Sequence, residues 1–495
     1  MKNINLKRIA IICGAAVLLS ACTKDIVTGR VVCEGKGIAD VVVSDGHICC
    51  LTDASGRYRF HSDMPEGYVF ISIPSGYEVP AQGLIPQFFT REKKAIFELK
   101  KIDQSKFKML VFTDIHLTGD KVDDDLRQFH SIFFPDFVRS ARDLLDEGPA
   151  YSICLGDMTT DSKWYKNNYA LPEYLKELDG FPLPIFHVMG NHDNDQKCEG
   201  SVEEWACLAE QRFKNEVGPN YYSINIGGVH FVMLDDIITH GPLGEGNPAL
   251  NPVGKFGFTY AFDQRQLDWI KKDLSYVPED TPLVLCFHVP PFKDGKKKVH
   301  NAEALTSMLE KYEKVDLLCG HYHTTRIDSI APNILQHIIA SASTVSWKLN
   351  DVPGAPLVCD DGTPAGYQLF TFEGGTASWQ YKSVYHPVEE SQCSVYDLGR
   401  GDFLINIFNW DPHWDVVARC GDKILDIKQI WEDDPSYVRL RKETKMLLKR
   451  PKAFLPYKSP HFFKGHFDGK PDEFRVDMTD RFGNKYTARF GQKAF

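Results

Sequence analysis

Two sequence patterns alternate between residues 105 and 345, and this alternation constrains the fold more than any other feature. Short continuous apolar runs predict strands that are buried on both faces of a sheet. These runs occupy residues 109–112, 153–155, 185–188, 231–234, 283–285 and 315–318. Segments between them carry apolar residues at helical spacing, as in Phe134, Phe137, Val138, Ala141 and Leu145. Strands that alternate with helices predict an α/β domain, which we assign to residues 105–375.

β-prone segments flank this domain on both sides. Residues 26–100 contain short runs such as 41–43, separated by Gly and Asp turn residues, and predict a small β-sandwich. Residues 380–495 return to short β runs such as 403–408 and predict a C-terminal β-rich domain. Within the α/β domain, the Gly- and Pro-rich stretch 241–257 predicts a long loop.

The first 22 residues have the pattern of a secretory signal. Basic residues precede an apolar run at 9–19, and Ser20-Ala21 precede Cys22, which predicts a signal peptide over residues 1–21. Residues 19–22 resemble a bacterial lipobox. That resemblance implies cleavage before Cys22, lipidation of its thiol, and a membrane-anchored lipoprotein on the periplasmic or surface face of the cell envelope. A plain secretory signal with an incidental Cys22 is the alternative.

Composition excludes some classes of function. The formal net charge of −10 argues against a nucleic-acid binder, which needs a basic surface. Thirteen cysteines are present, and an odd number remains once Cys13 and Cys22 are set aside, so at least one thiol stays unpaired within the chain. Cys33 could bridge to Cys49 or Cys50, which the sequence does not decide. The sequence contains no Cys-x-x-Cys pair that would indicate a structural zinc site.

Polar motifs directly follow the apolar runs of the α/β domain. The carboxyl ends of strands form the ligand crevice in open α/β sheets, so we expect these motifs to converge. In Asp-x-His and His-x-His both side chains lie on the same side of an extended segment, and imidazole and carboxylate ligands suit Zn, Fe or Mn. A shared carboxylate would hold two such ions about 3.5–4 Å apart. The motifs are Asp114-Ile115-His116, Gly156-Asp157, Gly190-Asn191-His192-Asp193, His288 and Gly320-His321-Tyr322-His323.

This set resembles the calcineurin-like metallophosphoesterase superfamily over residues 105–345. The resemblance implies a two-sheet sandwich flanked by helices and two divalent metal ions, Mn, Fe or Zn. It implies a first ion on Asp114, His116, Asp157 and His323. It implies a second ion on Asp157, Asn191, His288 and His321, with Asp157 bridging. His192 would protonate the leaving oxygen, with Asp193 helping to orient its ring, while a metal-bridged hydroxide attacks phosphorus.

The flanking regions carry weaker resemblances. Residues 28–31 and 52–58 resemble the Ig-like regulatory fold of carboxypeptidases and the N-terminal cap of some phosphoesterases. Residues 218–223 and 361–367 resemble a subfamily with extra N- and C-terminal β domains.

The resulting prediction is a dimetal hydrolase of phosphomonoesters or phosphodiesters in the cell envelope. A non-catalytic surface protein that binds glycan or another ligand, or a metal-dependent amidase with similar ligands, is the competing hypothesis. The natural substrate and the oligomeric state are left open.

Overall fold

The computed structural model describes residues 25–64, 67–122, 124–198, 205–242, 251–253, 256–350, 355, 357–444 and 455–493. The predicted signal segment 1–21 and Cys22 lie outside this part of the chain. No helix within the described ranges is long and apolar enough to cross a membrane.

The central unit contains two sheets. The first sheet has three parallel strands on one side and an antiparallel hairpin on the other. Its strands, in spatial order, are Ile185–His187, Ala150–Cys154, Lys106–Phe112, Gly366–Glu373 and Thr376–Ser383. The strands of the second sheet are Tyr222–Ile226, Val229–Met233, Leu283–Cys286, Val315–Cys319, Ile334–Ile338 and Arg326–Ala331.

The two sheets pack face to face through aromatic side chains. Phe107 stacks on Phe372 with ring centroids 4.8 Å apart, and Phe231 of the second sheet meets Phe372 edge-on at 5.5 Å. On the outer face of the first sheet, Phe137 from helix Phe134–Asp146 packs against Phe112 at 4.8 Å. The predicted α/β class, with a two-sheet sandwich flanked by helices, is confirmed.

Helices and short strands complete the central unit. Its longer helices are Phe134–Asp146, Leu171–Glu177, Trp205–Glu216, Gln264–Asp273 and Ala302–Leu309. Its shorter helical segments are Asp125–Gln128, Phe129–Phe133, Asp161–Lys163, Trp164–Asn167, Asn191–Asp193, Leu274–Tyr276 and Trp347–Asn350. Two small sheets lie outside the sandwich, with strands Ile237–Pro242, Asn251–Val253, Phe256–Tyr260, Phe292–Lys293 and Lys296–Lys297. Strands therefore occupy both ends of the stretch 241–257, which the sequence predicted as a loop.

The N-terminal unit is built of strands, as predicted. It packs on helix Gln264–Asp273 through Trp269, whose indole N–H donates to Ser44 Oγ at 3.1 Å. Its strands are Asp25–Cys33, Lys36–Gly37, Val42–Ser44, Cys49–Leu51, Arg57–Ser62, Val69–Ile71, Ala81–Gln82, Ile85–Pro86, Phe89–Thr90 and Lys94–Glu98. Cys33, Cys49 and Cys50 all have free thiols, so the bridge that the sequence left open is not formed.

The C-terminal unit is also β-rich. Its strands are Cys393–Gly399, Asp402–Ile407, Asp415–Cys420, Lys423–Ile424, Ile427–Glu432, Ser459–His466, Phe474–Thr479 and Lys485–Arg489. Its helical segments are Val388–Glu390, Pro435–Thr444 and Pro471–Glu473. It meets the central unit at Trp379, which packs edge-on against Phe482 at 4.7 Å.

Candidate metal centre

The predicted ligands follow the ends of strands in both central sheets. Asp114 and His116 follow Lys106–Phe112, and Asp157 follows Ala150–Cys154. From the second sheet, His288 follows Leu283–Cys286, and His321 and His323 follow Val315–Cys319. Six of the seven predicted ligands converge into two groups, Asp114 with His116 and His323, and Asp157 with His288 and His321.

In the first group, ring nitrogens surround one carboxylate. His116 Nε2 lies 3.6 Å and His323 Nε2 lies 3.3 Å from Asp114 Oδ1. The two Nε2 atoms are 3.1 Å apart. These donor atoms therefore face a common point.

The second group shares an oxygen with the first. His288 Nε2 lies 3.3 Å from Asp157 Oδ2, and His116 Nε2 of the first group lies 3.6 Å from the same oxygen. His321 Nδ1 completes the second group at 3.3 Å from His288 Nε2. The Asp157 carboxylate thus lies between the two groups and would be shared by an ion in each.

Hydrogen bonds fix the orientation of the rings. His288 Nδ1–H donates to the Leu155 carbonyl at 2.8 Å, and His323 Nδ1–H donates to the Thr344 carbonyl at 2.5 Å. Each leaves Nε2 facing the carboxylates. Such partners on the distal ring nitrogen are typical of histidines that bind metals.

Two buried acceptors near these groups lack hydrogen-bond donors. Asp114 Oδ1 and Asn191 Oδ1 accept no hydrogen bond from any described residue. Buried polar atoms are normally paired, and a divalent cation at each of the two groups would satisfy them. Burial raises the pKa of Asp157, but the charges of His288 and His192 outweigh it and hold that pKa below its usual range, so the shared carboxylate stays anionic. The donor set fits two divalent ions.

The backbone at these ligands is strained. The φ angles of Asp114, His116, Asp157, His321 and His323 lie between 51° and 71°, in the left-handed region that non-glycine residues seldom adopt. The neighbouring glycines allow close approach. A Cβ on Gly190 would lie 2.1 Å from the Asp157 backbone nitrogen, and one on Gly320 would lie 2.6 Å from Asp114 Oδ2.

His192 contacts a residue that the sequence analysis did not single out. Its Nδ1 hydrogen-bonds Asp161 Oδ1 at 2.9 Å, and its backbone N–H donates to Asp157 Oδ1 at 2.7 Å. Burial lowers the pKa of His192, but Asp157 and Asp161 outweigh it and raise the pKa to about 9. The His192 imidazole therefore holds a proton beside the two donor groups.

The predicted role of Asp193 in orienting the His192 ring is wrong. Its carboxylate instead accepts the backbone N–H groups of Gly190 at 2.9 Å and Met158 at 3.1 Å. Through these two hydrogen bonds Asp193 ties together the two loops that carry Asp157 and Asn191.

Taken together, fold and geometry define a two-metal site at the strand ends of an α/β sandwich. Three family models match successive parts of the chain. They are the N terminal of Calcineurin-like phosphoesterase at residues 25–108, Calcineurin-like phosphoesterase at 107–325, and the C terminal of Calcineurin-like phosphoesterase at 336–486. The chain belongs to the calcineurin-like phosphoesterase family, with its extra N- and C-terminal domains.

Relatives are distant. Purple acid phosphatase 15 from Arabidopsis thaliana is 24% identical over 275 residues, which are 50% of this chain and 47% of that protein. A probable glycerophosphodiester phosphodiesterase GpdQ from Arcobacter nitrofigilis is 27% identical over 184 residues, covering 35% of this chain and 57% of that protein. The chain thus spans about half the length of these curated relatives. A solved dimetal phosphatase from Danio rerio is 15% identical, with 57% of this chain and 97% of that one covered and a TM-score of 0.37.

Proposed function

We propose that this protein is a metal-dependent hydrolase of phosphoester bonds. The observation that carries the proposal is the position of the Asp157 carboxylate. It lies beside His116 of the first group and His288 of the second. It also accepts the backbone N–H of His192. Asp114, His116, Asp157 and His323 would hold one ion, and Asp157, Asn191, His288 and His321 the other. Such ions supply positive charge for the phosphoryl oxygens and for the attacking water.

His192 supplies the proton that the leaving group needs. Its Nδ1 is held by Asp161, whose side chain is only 3% exposed, while the imidazole is 20% exposed. The hydrogen bond leaves Nε2 to give its proton to the departing oxygen as the phosphorus–oxygen bond breaks. Because an alkoxide is a poor leaving group, this transfer matters most for alkyl esters.

The test is hydrolysis of p-nitrophenyl phosphate and bis-p-nitrophenyl phosphate with added Mn²⁺. We expect activity that chelator abolishes, and we expect Asp157→Asn to lose metal and nearly all turnover. Asp146→Asn, at the exposed end of helix Phe134–Asp146, is the matched control and should behave as wild type. A metal-loaded wild-type protein that hydrolyses neither substrate would overturn the proposal. Near-normal turnover by Asp157→Asn with two equivalents of metal would refute the ligand assignment.

We further propose that the enzyme works in the cell envelope, anchored by a lipid on Cys22. The basic, apolar and small-residue order of residues 1–22 supports this location. A lipid anchor would place the metal centre close to a membrane surface.

A further inference from the structure

Lys293 is a buried lysine that forms no salt bridge with any described residue. Its residue is 6% exposed, and among the described residues no carboxylate oxygen lies within 4.0 Å of its Nζ. The ammonium instead lies 3.8 Å from the ring centre of Tyr322 and 4.0 Å from that of Tyr457. Cation–π contacts offset part of the cost of burying a charge, and among the described residues the ammonium donates no hydrogen bond to a protein acceptor.

Asp294, one of the acids whose charge acts on Lys293, is already engaged. Asp294 Oδ1 accepts the Tyr457 hydroxyl at 2.8 Å and also a hydrogen bond from Arg326. Asp294 therefore shares its charge with a guanidinium, and it positions the Tyr457 ring that covers Lys293.

Asp360 and Asp361 are the other two acids whose charges act on Lys293. Asp361 Oδ2 accepts the Thr324 hydroxyl at 2.6 Å and the Thr325 N–H at 2.8 Å. Burial and the neighbouring Asp361 raise the pKa of Asp360 well above its usual range, which disfavours its anionic form. Burial also lowers the pKa of Lys293, to about 8, against the opposing charges of Asp360, Asp294 and Asp361.

The Tyr322 ring links Lys293 to the candidate metal centre. Tyr322 stands between His321 and His323 in the chain, and its ring centre is 4.9 Å from that of His321. The Tyr322 ring therefore contacts both the Lys293 ammonium and the ring of a predicted metal ligand.

We propose that Lys293 binds a second anionic group of the substrate, a carboxylate or phosphate on the leaving group. This inference rests on the proposed phosphoester hydrolysis and names the class of ester that the site prefers. It also gives the C-terminal unit a part in the site. Tyr457 belongs to that unit, and together with Tyr322 it forms an aromatic clamp around the ammonium.

The experiment compares two matched esters, phenyl phosphate and 4-carboxyphenyl phosphate, on Mn²⁺-loaded full-length protein. We expect wild type to favour the carboxylated ester in kcat/KM, and Lys293→Met to lower this preference about tenfold through the loss of a charge-assisted hydrogen bond. Because both esters are measured on both proteins, the difference in intrinsic reactivity between the two leaving groups cancels from the comparison. Lys293→Arg should keep part of the preference.

The matched control is Lys297→Met in the same hairpin. The Lys297 side chain is 43% exposed and is paired with Glu303 at 3.0 Å, so this variant should keep the wild-type preference. If Lys293→Met does not fold, Tyr457→Ala tests the same clamp, with Tyr457→Phe as its control. Equal preference in wild type and Lys293→Met would overturn the inference.

Binding separates this inference from the proposed function. Phenylphosphonate and 4-carboxyphenylphosphonate cannot be hydrolysed, and calorimetry gives their dissociation constants on the same proteins. Failure of wild type to hydrolyse either ester refutes the proposed function alone, whereas equal affinity for the two phosphonates refutes the role of Lys293.

Discussion

Asp361 connects the C-terminal unit to the loop that carries His321 and His323, and its removal gives the sharpest prediction. Besides its bonds to Thr324 and Thr325, Asp361 Oδ2 lies 3.3 Å from Nε2 of His461, on strand Ser459–His466. Asp361 itself is fully buried. Asp361→Ala leaves these donors facing a cavity.

The expected cost follows from these contacts. Removing one partner of a buried charged network costs about 3–5 kcal/mol, so Asp361→Ala should lower the free energy of unfolding by that amount. Asp361→Asn keeps an acceptor and should cost less, about 1–3 kcal/mol. Because Thr324 directly follows His323, Mn²⁺ affinity should also fall, by roughly tenfold or more, as when other partners of metal ligands are removed.

Urea denaturation followed by circular dichroism, with Mn²⁺ calorimetry, measures both effects. Asp422→Ala, an exposed substitution in the C-terminal unit, is the control. Burial raises the pKa of Asp361, but His461 and Thr324 outweigh it and lower that pKa below 3.8. The stability that Asp361 provides is therefore present above pH 3.8 and is lost as pH falls through its lowered pKa. The difference in free energy of unfolding between wild type and Asp361→Asn should therefore shrink at acidic pH. An Asp361→Ala protein as stable as wild type at neutral pH, with unchanged Mn²⁺ affinity, would refute this reasoning.

Three other predictions concern the proton donor and the anchor. His192→Ala should keep both metal equivalents and lose roughly 100-fold or more in kcat on alkyl phosphates, with a smaller loss on aryl phosphates; loss of metal would contradict its role. Asp161→Asn should show the same bias with a smaller loss, and equal losses on alkyl and aryl esters would show that Asp161 does not act through His192. Wild-type protein should partition into detergent and Cys22→Ser should not, whereas an unlipidated wild-type protein would remove the anchor.

The strands and ligand motifs were predictable because their signals are local. The run 109–112 lies within strand Lys106–Phe112, and the apolar run and the motif behind it are read from adjacent residues. Asp161 was not predicted, because its contact is with His192, 31 residues further along the chain. Only the folded loops bring these two residues together. The approach of Tyr457 to Lys293 joins different units of the chain, which spacing within one motif cannot show.

The left-handed backbone at the metal centre limits which residues can replace its ligands. Asn, Asp and His enter this region more readily than other non-glycine residues, and β-branched side chains are strongly disfavoured there. At Asp114, Asp157 and His323, whose φ angles are 53°, 53° and 51°, most mutations to apolar residues therefore add conformational strain to the loss of a ligand. Homologues that have lost metal binding should therefore carry mainly Asn or Gly at these positions. An inactive site of this kind would then be recognisable from the residue types at the former ligand positions.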